Sequence, residues 1–138
     1  MAKITGAPKH KATLRRLRSP AARREYGKAM HAAANMLATE AAISITTGAV
    51  GGKNHVPSSP GEPPNADTGF LDRSIFAEQT GELTAIAGAN ASYAQALEFG
   101  TSKLQPRPFM APAAEKIRPK AKKLVEAARN RVIRGGTL

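Results

Sequence analysis

From Pro20 to Thr46, the residues Tyr26, Met30, Ala33, Leu37, Ala41 and Ile45 recur every three or four positions. That spacing sets them on one stripe, and the segment predicts a single long amphipathic helix. Ser19-Pro20 supplies its start, with Ser19 as N-cap and Pro20 in the first helical position, and Gly48 supplies its end. Near the other terminus Ala114, Ile117, Ala121, Leu124, Val125, Ala128 and Val132 form a second stripe of the same period, opening at Pro112 and stopping at Gly135. Pro119 lies inside it and predicts a kink or the helix's true start. Between the two helices the period falls to two. Ser74–Gln79 and Leu83–Ala89 read as a β-hairpin turning at Thr80-Gly81-Glu82. On its second strand Leu83, Ala85 and Ala87 share the face opposite Thr84 and Ile86. Ser92 is placed to cap a short helix over Tyr93–Phe99, which Gly100 ends.

Three stretches break these periods. Residues 1–18 read as a basic arm, helical over Lys11–Arg18, ahead of a single domain over 19–138. Residues 48–69 are dominated by Gly and Pro and predict a long loop, which in a small domain is normally functional or mobile. Gly48–Lys53 is not a phosphate loop, because three residues rather than four separate Gly48 from Gly52, and Asn54 rather than Ser or Thr follows Lys53. The run from Gln105 to Pro112 is extended, since each proline pushes the preceding residue out of the helical region. Phe109 and Met110 are its large apolar groups and its anchors.

Composition adds a constraint that the pattern alone does not. The chain has 138 residues, of which 27 are Ala, while Leu, Ile, Val and Phe together number only 24. With a net charge of +11, so few bulky apolar groups put the chain near the range of sequences that do not fold alone. No Cys is present to staple it, and His10, His31 and His55 are too scattered for metal ligation. The remaining supplement is a neighbouring subunit, so the chain reads as a component of an assembly. No apolar run reaches the ~20 residues of a membrane span, and the basic start lacks the apolar stretch of a secretory signal.

The charge is unevenly distributed. Residues 1–28 hold nine Lys/Arg against one Glu, residues 116–138 hold eight against one, and the body between carries four basic and eight acidic residues. Three readings follow. Arg15, Arg16, Arg18, Arg23, Arg24, Lys120, Lys122 and Lys123 contact a polyanion, or they meet the acidic body of an adjoining subunit, or they only solvate helix faces. The scarcity of aromatics speaks against single-strand binding, which uses stacking platforms. Catalysis is not indicated. His55, Ser58 and Ser59 sit in a Pro-rich loop that cannot hold a triad, and Glu62 and Asp67 read as solvated loop charges. The sequence calls for no cofactor.

Four motifs then stand in a recognisable order: Ser59-Pro60-Gly61-Glu62-Pro63-Pro64; Thr68-Gly69-x-Leu71-x-x-Ser74-Ile75; Tyr93-Ala94-x-x-x-Glu98-Phe99-Gly100-Thr101; and Arg107-Pro108-Phe109-Met110-x-Pro112-Ala113, before a long charged helix. Over roughly residues 12–134 the chain resembles the tail-component family of tailed bacteriophages. That resemblance implies an α+β fold, with a small antiparallel sheet and helices packed on it. It also implies a non-enzymatic virion protein of the neck or tail top, forming a ring, commonly six-fold, between the capsid portal complex and the tail. Tail-completion and head–tail connector roles fit it, and a tail terminator is the nearer alternative. The partners so implied are copies of itself and other neck and tail proteins, the location is the virion, reached by assembly in the host cytoplasm, and no membrane is involved. The loop carrying Lys53, Pro60, Gly61, Glu62, Pro63 and Pro64 is expected to order on assembly and reach an adjacent ring or subunit. A small basic nucleic-acid-binding protein is the competing class, resting on the Arg-rich arm and a pI near 10.6.

Overall fold

A computed structural model describes residues 5–47, 49 and 51–135, so Gly48, the expected helix stop, lies outside the described residues. Helix α1 spans Ala7–Leu17, starting earlier than its apolar pair suggests because Pro8 fits the first turn. Helix α2 spans Pro20–Thr46, and the Ser19 hydroxyl accepts from the Ala22 amide at 3.1 Å, the cap its sequence announces. A single helical turn, α3 (Phe70–Arg73), leads into strand β1 (Ile75–Gly81), which pairs antiparallel with β2 (Thr84–Ala89). Helices α4 (Ala94–Phe99) and α5 (Met110–Ile133) complete the α+β fold.

The 27-residue α2 is the spine, against which both α5 and the hairpin pack. This explains why burial on α2 is wider than one stripe: Ala22, Ala29, Ala34, Ala41 and Ile45 are all buried. Gly27 shows how close the hairpin comes. A Cβ there would lie 2.2 Å from the Glu82 carbonyl oxygen, so a helix-interior glycine, ordinarily unfavourable by about 1 kcal/mol, is required. The strand register places Ile75, Ala77 and Gln79 opposite Ala89, Ala87 and Ala85 on the face toward α2, and Phe76, Glu78 and Ile86 on the outer face. Leu83 falls outside the strand, in the turn, and is exposed.

Two further expectations are corrected. Ser92 caps nothing; Tyr93 is the N-cap residue of α4 and contributes no side-chain bond. Pro119 does not mark the start of α5, which is continuous from Met110 to Ile133 with Pro119 inside it. Pro119 and Glu115, whose carbonyl loses its helical partner, are both exposed, so the missing bond falls on a solvent-facing part of the helix.

The start of α5 is held from outside. Glu98, in α4, accepts the amides of Phe109 (2.8 Å) and Met110 (3.0 Å) through one carboxylate oxygen and that of Ala111 (2.9 Å) through the other. A negative group at a helix N-terminus satisfies free N–H donors and complements the helix dipole. Phe109, 1% exposed, then drops into a core of Ala41, Ile45, Leu71, Ala91 and Ala113.

Candidate assembly surface

The buried core contains thirteen apolar residues, eight of them Ala, so only Ile45, Leu71, Phe109, Ile117 and Val132 are large. Nine large apolar side chains are exposed, among them Phe99 (74%), Val56 (64%), Phe70 (55%) and Tyr93 (42%). With Leu37, Ile75, Leu97 and Met110 packed half-buried against that core, more bulky apolar groups are exposed than are fully buried, which is the anatomy of an interaction surface rather than of a finished core. Beside this, Met30, Leu37, Ala87 and Ile117 line a shallow apolar groove of about 240 Å³ between α2, β2 and α5, floored by alanines that fill little of it.

The four motifs converge on the junction of α3, α4 and α5, where most of their residues build the fold. Leu71 and Phe109 are core residues, and Ile75 packs against them. The Ser74 hydroxyl donates to the Leu71 carbonyl at 2.6 Å and closes the α3 turn. Gly69 (φ 74°) and Gly100 (φ 75°) hold left-handed or otherwise glycine-only conformations before α3 and after α4. Glu98 clamps α5, Pro112 lies exposed in its first turn, and Pro108 is half-buried just before it. Tyr93 faces solvent with its ring 6.2 Å from that of Phe70, and Phe99 is the most exposed large apolar side chain of the described residues. Phe70 and Val56 join this surface without any periodic signal in the sequence.

The loop folds back on its own chain. Asp67 Oδ1 accepts the Gly52 amide (2.8 Å), Asn65 Nδ2 donates to the Val56 carbonyl (2.8 Å), and the Ala66 amide donates to the Ile45 carbonyl at the end of α2 (3.0 Å). The Gly61 amide donates to the Pro106 carbonyl at 2.9 Å. Pro64 and Ser58 are buried and Pro63 half-buried, whereas Lys53, Pro60, Gly61 and Glu62 are exposed. The six loop residues therefore divide into an outward tip and an inward anchor. Beneath the loop lies a cavity of about 210 Å³.

The structure brings the two basic ends together. Arg16 Nη1 donates to the Ile133 carbonyl at the end of α5 (3.3 Å), a favourable place for a cation. Arg15, Arg18, Arg23, Arg24, Lys120, Lys122 and Lys123 are exposed. Part of the opposite-charge matching is internal: Arg23 pairs with Glu82 (3.6 Å), and Lys116 pairs with Glu40. Glu25, only 1% exposed, is held by Lys28 and by Arg131 of α5, each at 3.5 Å, a buried link that the charge count does not anticipate. No helix of the described residues is long and apolar enough to cross a membrane.

Residues 9–100, two thirds of the chain, match the family described as "Bacteriophage HK97-gp10, putative tail-component". A comparison with curated proteins finds no match, and one with solved structures finds none. The matched range takes in the loop, the hairpin and α4, and stops at the glycine that ends α4.

Proposed function

The chain belongs to the HK97-gp10-like family of bacteriophage tail components, a structural, tail-related protein of the virion, and on that premise we propose that it is a ring subunit joining the head to the tail. In this reading it acts as a connector, neck or tail-completion protein between the portal complex and the tail, and six copies close by head-to-tail contacts. It assembles in the host cytoplasm. The observation that carries the reading is the apolar imbalance: five large side chains buried against nine exposed among the described residues. Heterologous contacts that bury such a surface close into a ring when the rotation between subunits permits. The exposed loop tip, Lys53 and Pro60 to Glu62, is the segment proposed to reach the adjoining ring, while Pro63 and Pro64 anchor it.

Electron microscopy of the particle tests this directly. Density for the subunit at the head–tail junction, in a closed ring, is the expected result; copies along the tail shaft or at its distal tip overturn it. A ring capping the tail tube before head joining assigns the terminator role instead. The loop is tested separately by reversing Lys53 and Glu62 to Glu and Lys. Particles that join normally with both reversed refute its role.

A second reading has its own observation, the meeting of the two basic ends at α1 and α5. Contact there with DNA predicts steep salt dependence. A site neutralising six phosphates loses about 10³-fold in affinity between 50 and 200 mM salt. Retention that is weak and flat across that range leaves the basic faces to acidic protein neighbours.

A further inference from the structure

The hairpin has two outer edges, and that of β2 is unprotected. The Asn90 amide donates to the Ser74 carbonyl at 3.0 Å, and counting along the register from that bond makes Phe76–Gly88 and Glu78–Ile86 the pairs that exchange hydrogen bonds. The alternate residues of β2, Ala85, Ala87 and Ala89, therefore turn their amides and carbonyls away from β1. Among the described residues no group bonds to them on that side, and each of the three is only half-buried. β1 has the same alternation, but exposed Glu78 and Gln79 and the irregularity before Gly81 blunt its edge. β2 reads Thr-Ala-Ile-Ala-Gly-Ala, with no charge and no proline to turn another strand away.

Space for a third strand lies along this edge. β2 and α5 both pack on α2 but not closely on each other, and the apolar groove of about 240 Å³ between them takes in Ala85 and Ala87. A second groove of about 300 Å³, bordered by Phe99 and Met110, continues from Ala87 along Gly88 to Ala89. A strand pairing with β2 lies about 4.8 Å from it, within this space. Every second side chain of that strand points as the three alanines do, toward Met30, Leu37 and Ile117, whose groove the alanines leave unfilled. Charge adds a further condition. On the turns of α5 that border the groove, Lys116 is matched by Glu40 and Arg118 by Glu115. Lys120 and Lys122, both exposed, have no acidic partner among the described residues. Apolar residues alternating with acidic ones meet both conditions.

We propose that the outer edge of β2 accepts an extended, acidic segment of another protein chain as a third strand, antiparallel like the sheet it extends. The purified chain and a synthetic peptide suffice to test this, whatever part of the tail the subunit occupies. The probe is the acetylated and amidated heptapeptide Thr-Val-Glu-Val-Glu-Val-Thr. One control is the same peptide N-methylated at its valines, whose amides face β2; the other carries Lys in place of both Glu. Binding is followed by NMR amide shifts and by hydrogen exchange. Saturable shifts along β2 are expected, with exchange slowed most at residues 85, 87 and 89 and least at 86 and 88, which β1 already holds. Each control should bind about tenfold more weakly or worse. Ala87→Pro deletes one outward N–H while sparing the bonds to β1, and should weaken the peptide about tenfold. No saturable binding, equal binding of either control, or slowing confined to 86 and 88 overturns the proposal. So does self-association of the free chain that Ala87→Pro abolishes, because a second copy then holds the edge. Should that variant fail to fold, the alternation of exchange along β2 in the unaltered protein still decides.

Discussion

Replacing Glu98 by Ala removes the side chain that caps the start of α5. Two of its three bonds, to the Phe109 and Met110 amides, are partly buried, and the third, to Ala111, is exposed. Water can replace the exposed bond. The two others leave donors without a partner, at about 1 to 1.5 kcal/mol each, and loss of the negative charge at the helix start adds about 0.5 kcal/mol. The sum is about 3 kcal/mol, a large share of a small domain's stability. For a chain of this length the melting temperature falls by about 3–4 °C per kcal/mol, giving a drop of about 10 °C. Glu98→Gln keeps one oxygen, which can still serve Phe109 and Met110, but turns an NH2 group toward the Ala111 amide. Its loss is about half as large. Thermal and urea unfolding followed by circular dichroism give the stability change, and hydrogen exchange at residues 109–111 gives its location. If Glu98→Ala unfolds within 0.5 kcal/mol of the unaltered protein, or if exchange at those amides is unchanged, the carboxylate is not what holds α5.

Other outcomes follow from the same packing. Gly27→Ala, which helix propensity alone would favour by about 1 kcal/mol, should destabilise the protein by about 1–3 kcal/mol because the new methyl meets the Glu82 carbonyl; a rise in melting temperature would refute the close approach. Phe109→Ala should cost about 3–5 kcal/mol in chemical denaturation, as the largest side chain in the core, and a loss under 1 kcal/mol would show that the cluster is not the core. Phe99→Ser should change the isolated chain's stability by less than about 0.5 kcal/mol, since the ring is 74% exposed, yet reduce oligomerisation or incorporation into particles. Unaltered assembly by this variant removes Phe99 from the interface.

Much of the architecture could be read from local rules. The cap at Ser19-Pro20 fixed the first residue of α2, because a hydroxyl positioned to accept from the Ala22 amide needs no distant partner. Period-two alternation located the hairpin, and the proline-rich run from Gln105 placed Phe109 as an anchor. The motifs pointed to the family over residues 12–134; the match covers residues 9–100, which takes in the first three motifs as far as Gly100 and leaves the fourth, Arg107 to Ala113, outside it. Their separate roles were not legible, because each depends on what lies across from it. Glu98 reads as one more charge in a short helix until α5 begins beside it, and Gly27 reads as a weakness in a helix until the hairpin turn is found against it. Ser92 looked like a cap because its neighbours allow it, but the chain enters α4 through Tyr93 instead.

What the sequence determined by itself was the shortage of bulky apolar groups and the order of the elements, since both follow from counting and from short-range periodicity. Only the tertiary structure decided where that shortage falls. It set alanines between α2 and its two neighbours, where thin side chains let backbones approach, and left Phe70, Tyr93 and Phe99 facing out. It also joined the two basic ends and set the outer edge of β2 beside an open groove. Those arrangements unite residues separated by up to 117 positions, and no helical or strand period extends that far.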